Sequence, residues 1–166
     1  MADTPTPQIE TRAEQPYVAI ATRVPMTELA TVADRVGEVF AWLAAQGVPP
    51  AGAPFFKYNE IDMARELLVE GGVPVASPVQ GDDKVVAGVL PSGRYATLMH
   101  VGHPDELAQA TETLLTWAAG QGLRWDMAPS EQGDVWGSRL EIYLSDPSEE
   151  PDMDKWVTQL AFRLAD

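Results

Sequence analysis

The segment FAWLAAQGV, Phe40 to Val48, returns 75 residues further on as LTWAAGQGL, Leu115 to Leu123. Trp42 and Trp117, Gln46 and Gln121, and Gly47 and Gly122 share that offset, and four of the nine positions are identical. Alanine-rich helices match in this way by chance, so the order of elements around each segment carries more weight. Before the first, Val18, Ile20, Thr22 and Val24 alternate with Tyr17, Ala19, Ala21 and Arg23, the period-two pattern of a strand. Thr27 and Glu28 then open a helical pattern in which Leu29, Val32, Val36, Val39, Phe40 and Leu43 recur at steps of three and four, closed by Gly47. Pro49, Pro50, Gly52 and Pro54 forbid further helix and lead into a strand-like run from Phe55 to Tyr58. Glu66 to Pro74 gives another strand, interrupted by Gly71 and Gly72.

The second half repeats that order. Tyr95, like Tyr17, begins a leading strand, which runs to Val101. Pro104 and Asp105 start a helix with Leu107, Ala110, Leu114 and Ala118 on one face, ending near Gly120 and Gly122. Val135 to Leu144 and Trp156 to Leu164 read as two final strands, separated by an acidic turn from Ser145 to Asp154. Between the halves, Val85 to Val89, the turn Pro91-Ser92-Gly93 and Tyr95 to Val101 read as a hairpin.

The predicted fold is therefore α+β. Two duplicated strand-helix-strand-strand modules, about 16–76 and 83–166, form one antiparallel sheet with two long helices on one face. The other face and the seam between modules are left free for a ligand cleft. Residues 1–15, with Pro5 and Pro7 among polar side chains, read as a flexible N-terminal tail leading into an edge strand, and 16–166 as a single domain.

Composition narrows the function. Eleven Lys and Arg against twenty-five Asp and Glu give a net charge of −14, a field that repels phosphate backbones and anionic headgroups. Direct nucleic-acid and membrane partners are not expected, whereas cationic ligands or basic protein surfaces are favoured. A solvated acidic surface that only confers solubility is the plainer and favoured reading of the charge alone. Without cysteine, disulfides, thiolate nucleophiles and zinc-thiolate sites are excluded. No basic N-terminal region precedes an apolar run, and no stretch reaches the ~18 apolar residues needed to span a bilayer, so a cytoplasmic protein is expected.

The strand RLEIYL, Arg139 to Leu144, holds the most suggestive side chains. Leu140, Ile142 and Leu144 alternate with Arg139, Glu141 and Tyr143. The apolar set is predicted to face the helices, so that Glu141 and Tyr143 project together from the opposite face and offer a cation both a carboxylate and a π-face. Phe56 and Tyr58 occupy the equivalent strand of the first half at the same spacing. The plainer alternative makes Glu141 a solvent-facing residue with Arg139 or Lys57 as its neighbour. Trp136 and Trp125 can wall a site or simply fill the core, and Trp42 and Trp117 read as packing. His100 and His103 span a strand end and a turn rather than one helical face, so no metal is expected. The acidic run from Asp146 to Asp154 lacks the glycine and ligand spacing of a calcium loop. No P-loop, nucleophile-elbow or dinucleotide glycine pattern occurs, and no cofactor is expected.

The opening QPYVAIATR, the helix end WLAAQGV with PPAGAPFFKY after it, and the strand RLEIYLSDP together resemble the GyrI-like family. That family is also found as the effector-binding domain of AraC- and MerR-type multidrug regulators of the BmrR type. The resemblance runs from about Gln15 to Leu164. It implies a ligand site at the module seam, lined by aromatics and by a glutamate that engages bulky, often cationic aromatic compounds. Glu141 and Tyr143 match the family's E-x-Y positions, and Tyr58 matches an aromatic of the other half. The expected function is thus multidrug-like small-molecule binding, linked to antibiotic resistance, with Glu141, Tyr143, Tyr58, Phe56 and Trp136 as ligand-binding residues. Some relatives hydrolyse strained cyclopropane-containing natural products in the same pocket; here Glu141 would position water, with Tyr143 beside it as the second catalytic residue. Others bind and protect DNA gyrase, which leaves gyrase or a regulator as an alternative protein partner. The binding module takes up these 166 residues without a helix-turn-helix, so a stand-alone binder is expected.

Overall fold

Gly47 and Gly122 both adopt left-handed backbone at φ 71°. Each closes its helix with the same two bonds. The Gly47 and Gly122 N–H groups donate to Ala44 and Ala119 carbonyls, and Val48 and Leu123 N–H groups donate to Leu43 and Ala118 carbonyls. A residue with a Cβ is strained at such a cap, which is why glycine stands at both. The duplication seen in the sequence is thus a duplication of structure.

The computed structural model describes residues 6–166; residues 1–5, the start of the predicted tail, lie outside the described residues. The first half contains β1 (Gln8–Arg12), β2 (Gln15–Val24), α1 (Ala30–Gln46), β3 (Phe55–Ile61) and β4 (Leu67–Pro74). The second contains β5 (Val86–Leu90), β6 (Gly93–Val101), α2 (Leu107–Gly120), β7 (Met127–Ser130), β8 (Gly133–Trp136), β9 (Arg139–Tyr143) and β10 (Val157–Arg163). The strands pair antiparallel in the order β1-β6-β10-β9-β3-β4-β2-β5, and the hairpin β7-β8 attaches to β3. Read from either edge the order is the same: first strand, leading strand, last strand, seam strand. The seam is the β9–β3 pair, where Phe56 lies opposite Glu141, Phe55 opposite Ile142 and Lys57 opposite Leu140. The pseudo-twofold axis therefore passes between Phe56 and Glu141, which makes Tyr58 and Tyr143 equivalents.

Two local expectations are corrected. Val85 to Val101 is not a hairpin, because β5 pairs with β2 whereas β6 pairs with β1 and β10. Each module donates its first strand to the other module's leading strand, giving both central strands two ladder partners. In the same exchange Gln8–Arg12, read from sequence as tail, forms the edge strand β1, with Arg12 donating to Glu10 and to Gln159 of β10. The run Val135 to Leu144 is also broken at Gly137-Ser138 into β8 and β9.

The helices lie over separate halves: α1 packs on β2 and β4, and α2 on β6. Val32, Val39 and Leu43 of α1, and Leu107, Ala110, Leu114 and Ala118 of α2, are buried. Phe40, expected on the apolar face of α1, is 37% exposed. The Gly71-Gly72 pair interrupts the sequence pattern because it is squeezed from both sides. A Cβ on Gly71 would stand 2.9 Å from Val36 Cγ2 and 3.0 Å from the Val32 carbonyl of α1. One on Gly72 would meet the Phe55 ring at 2.8 Å on the opposite face. Gly71→Val should therefore push α1 off β4 and cost about 1–3 kcal/mol in urea unfolding; an unchanged midpoint would contradict this close approach.

The facing of β9 is the reverse of the expectation. Leu140 and Ile142 pack with Tyr17, Ala19, Phe55, Tyr95 and Ala161 on the side away from the helices. Glu141, Tyr143 and Arg139 share the helix side with Phe56, Tyr58, Leu160 and Phe162. The reason is that this sheet buries both faces. It curls so far that Arg12 and Leu90, from opposite edges, line one cavity of about 410 Å³ on the far face. With an apolar core on each side, the greasier set of a strand no longer marks the side of the helices.

Candidate functional site

On the helix side, the seam strands β9 and β3 lie between the strands that α1 and α2 cover, and their side chains form one cluster. Phe56 and Tyr58 rise from β3 and Arg139, Glu141 and Tyr143 from β9, each at two-residue spacing because alternate strand residues share a face. Both tyrosine hydroxyls donate to the same carboxylate oxygen: Tyr58 to Glu141 Oε1 at 2.9 Å and Tyr143 to Glu141 Oε1 at 2.7 Å. Among the described residues no group donates to Oε2. The Phe56 ring meets Tyr143 edge-on at 5.0 Å and Tyr58 at 6.4 Å, filling the equivalent position across the axis.

Beside this cluster lies an aromatic platform. Trp125, Trp136 and Phe162 contact one another at 5.6 to 5.9 Å between ring centroids. The Arg139 guanidinium lies 4.7 Å from the Trp136 ring, 4.6 Å from Phe162 and 6.0 Å from Tyr58. Trp136 thus meets the Glu141 cluster through Arg139 rather than through Glu141 itself. Arg139 and Phe162 were not singled out as site residues by sequence reasoning, although Arg139 has the same strand parity as Glu141 and Tyr143.

Burial sets the protonation of these groups. It pushes the Glu141 carboxyl above its ordinary value, an effect that the Tyr143 and Tyr58 hydrogen bonds and the Arg139 charge only partly offset. Burial, reinforced by the Glu141 charge, pushes both tyrosines well above the usual phenol range, so they remain donors. A carboxyl whose folded value is raised favours the fold when protonated, and that benefit is lost as pH climbs from the unfolded value, about 4.3, through the folded one. Glu141→Gln should consequently raise the melting temperature at pH 8, with the gain fading below pH 4. No gain at pH 8, or a gain that grows on acidification, would contradict a strained carboxylate.

The histidines have structural work: His103 Nδ1 accepts from the Asp105 N–H at 3.0 Å, capping the turn Pro104–Glu106, and His100 lies beside the His103 carbonyl. Among the described residues no three His, Asp or Glu side chains converge for a metal, and no helix is long and apolar enough to cross a membrane. Trp42 and Trp117 pack on the cores of their own halves.

The family model of the GyrI-like small-molecule-binding domain matches residues 5–165. The chain belongs to the GyrI-like family. Solved structures agree on the fold. The C-terminal domain of EcmrR superimposes with a TM-score of 0.76 at 17% identity, covering 97% of this chain and 98% of that one. Against EcmrR in its DNA complex the chain spans only 57% of the EcmrR chain. SAV2435 bound to tetraphenylphosphonium matches at a TM-score of 0.66 and 12% identity, over 96% of this chain and 94% of that one. A hydrolase encoded by lin2189 of Listeria innocua matches at 0.62 and 15%, over 99% and 94% of the two chains. No curated protein matches the sequence. This GyrI-like chain is thus a small-molecule-binding domain with the tandem-module fold.

Proposed function

We propose that the cleft between α1 and α2 captures bulky aromatic compounds carrying a positive charge, with Glu141 as counter-charge and Tyr143, Tyr58, Phe56 and Trp136 as aromatic walls. The observation that carries this reading is the asymmetry of the carboxylate. Both tyrosine hydroxyls hold Oε1, so the side chain is fixed in place while Oε2 accepts no hydrogen bond among the described residues and is not fully buried. A desolvated carboxylate flanked by π-faces attracts a cation more than water does. That SAV2435 is a relative in fold bound to tetraphenylphosphonium supports a cationic aromatic ligand. Such a site selects by area and charge rather than by exact hydrogen bonding, which suits multidrug capture and a part in antibiotic resistance. The test is a matched pair of probes, methyltriphenylphosphonium and neutral triphenylphosphine oxide, titrated by tryptophan quenching against wild type and Glu141→Gln. Selective loss of the cation is expected; equal loss of both would refute the counter-charge role.

A hydrolytic reading is favoured by one observation, the raised carboxyl of Glu141 with an open oxygen beside two hydroxyl donors. Such a group can take a proton from water as the water oxygen bonds to a ring carbon of an activated cyclopropane. The ring C–C bond breaks, its electron pair moves onto the conjugated carbonyl oxygen, and Tyr143 or Tyr58, released from Glu141, donates a proton there. Incubation with a cyclopropane-containing alkylating compound decides between the two: a hydrolase returns the ring-opened water adduct by mass spectrometry, and a binder returns the compound unchanged.

A further inference from the structure

Arg139 helps to hold the Glu141 carboxyl ionised, yet makes no hydrogen bond to it. The two residues are neighbours on one face of β9, about 7 Å apart at the strand repeat. In a chain with twenty-five acidic residues, Arg12, Arg23, Arg35, Arg65 and Arg163 each hold a carboxylate. Arg139 does not. Glu141 and Asp134 act on it only at a distance, and among the described residues no acceptor takes a hydrogen bond from it. Its nitrogens are not among the fully buried atoms that lack a hydrogen-bond partner, so they are not wholly enclosed. The Trp136 and Phe162 ring centroids both lie within 4.7 Å of the guanidinium carbon, so π-systems rather than an anion neighbour its charge. A planar fork of this kind matches a carboxylate in bidentate fashion. Cation–π contact with Trp136, Phe162 and Tyr58 offsets part of the cost of desolvating this charge but accepts none of its N–H groups in bidentate fashion, which leaves them available to a carboxylate from outside the chain.

The geometry points to Arg139 as a second anchor that binds the carboxylate of an amphoteric aromatic ligand whose cationic end meets Glu141 Oε2. This rests on the Glu141 reading and narrows it. A simple lipophilic cation placed at Glu141 sits beside a like charge, whereas an aromatic zwitterion with its charges about 7 Å apart satisfies both groups. The cleft therefore selects zwitterionic aromatics over plain cations.

Rhodamine 6G and the free acid left by removing its ethyl ester test this, because they share one cationic xanthene and differ in a carboxylate. Fluorescence polarisation with the full chain should show the acid binding about tenfold more tightly than the ester. Arg139→Gln should abolish that preference by weakening the acid alone, and Arg139→Lys, which keeps the charge and loses the fork, should retain part of it. An ester bound as tightly as the acid by wild type, or an Arg139→Gln variant that weakens both dyes equally, overturns the proposal. Glu141→Gln separates the two readings. If it weakens neither dye while Arg139→Gln still removes the preference, the Arg139 anchor stands and the Glu141 reading fails; if it weakens both dyes and the preference is missing, the reverse holds.

Discussion

Glu141→Gln should lower affinity for methyltriphenylphosphonium about 10- to 100-fold, the equivalent of the 1.5–3 kcal/mol carried by an interaction with a charged group. Affinity for triphenylphosphine oxide should change by less than about threefold, because the aromatic walls are untouched. The substitution keeps an oxygen able to accept from Tyr58 and Tyr143, so the cleft retains its shape while losing its charge. The same logic fixes the pH dependence. The free carboxyl titrates above its ordinary value because it is buried, so cation binding in wild type weakens as pH falls through that raised value. The neutral oxide shows no such slope, and neither does Glu141→Gln with either probe. Isothermal titration from pH 8 to pH 4 measures this, and a flat wild-type profile for the cation would remove Glu141 from the site.

Phe162→Ala should cost about 3–5 kcal/mol of stability, enough to threaten the fold of a domain of this size. Its ring is 1% exposed and touches Trp125 and Trp136 at 5.9 and 5.8 Å. It also belongs to the core that α2 covers through Leu107, Ala110 and Leu114. Truncation leaves a cavity beside Trp136, held on β8, and Trp125, held by its bridge to Leu164, so transfer and cavity terms add. Arg139 loses one of its two close platforms at the same time. Urea unfolding followed by far-ultraviolet circular dichroism gives the number, and a loss below about 1 kcal/mol would mean that the aromatic platform is loosely packed.

What could be read in the sequence follows from how local the signal is. The helices, their glycine caps and the duplication were legible because Gly47 and Gly122 end the same local motif at a fixed offset. Glu141, Tyr143, Tyr58 and Phe56 were legible as a group for a related reason: the duplication places β3 and β9 as equivalents, and strand alternation does the rest. The exchange of β1 and β5 was not legible. Nothing in Val86 to Leu90 distinguishes folding back on β6 from crossing to β2, since a strand's partner is set by which ladder edge is vacant in three dimensions. The hairpin β7-β8 escaped because Met127-Ala128-Pro129-Ser130 carries a proline and is mostly exposed. The facing of β9 misled because alternation reports two faces without saying which one the helices cover, and here both are buried. Arg139 was hidden by the same assumption: a strand arginine beside a glutamate reads as its surface partner, and only the three-dimensional arrangement sets it on Trp136 and Phe162.

The inverted facing also leaves two places where a ligand can lie, one on each side of the seam. A crystal structure of the chain with methyltriphenylphosphonium distinguishes them directly. The phosphonium should lie between α1 and α2, its charge within about 5 Å of Glu141 Oε2 and its rings against Tyr58, Tyr143 and Phe56. Density for it instead in the far-face cavity lined by Phe55, Tyr95, Leu140 and Ile142, with the Glu141 carboxylate untouched, would contradict the account.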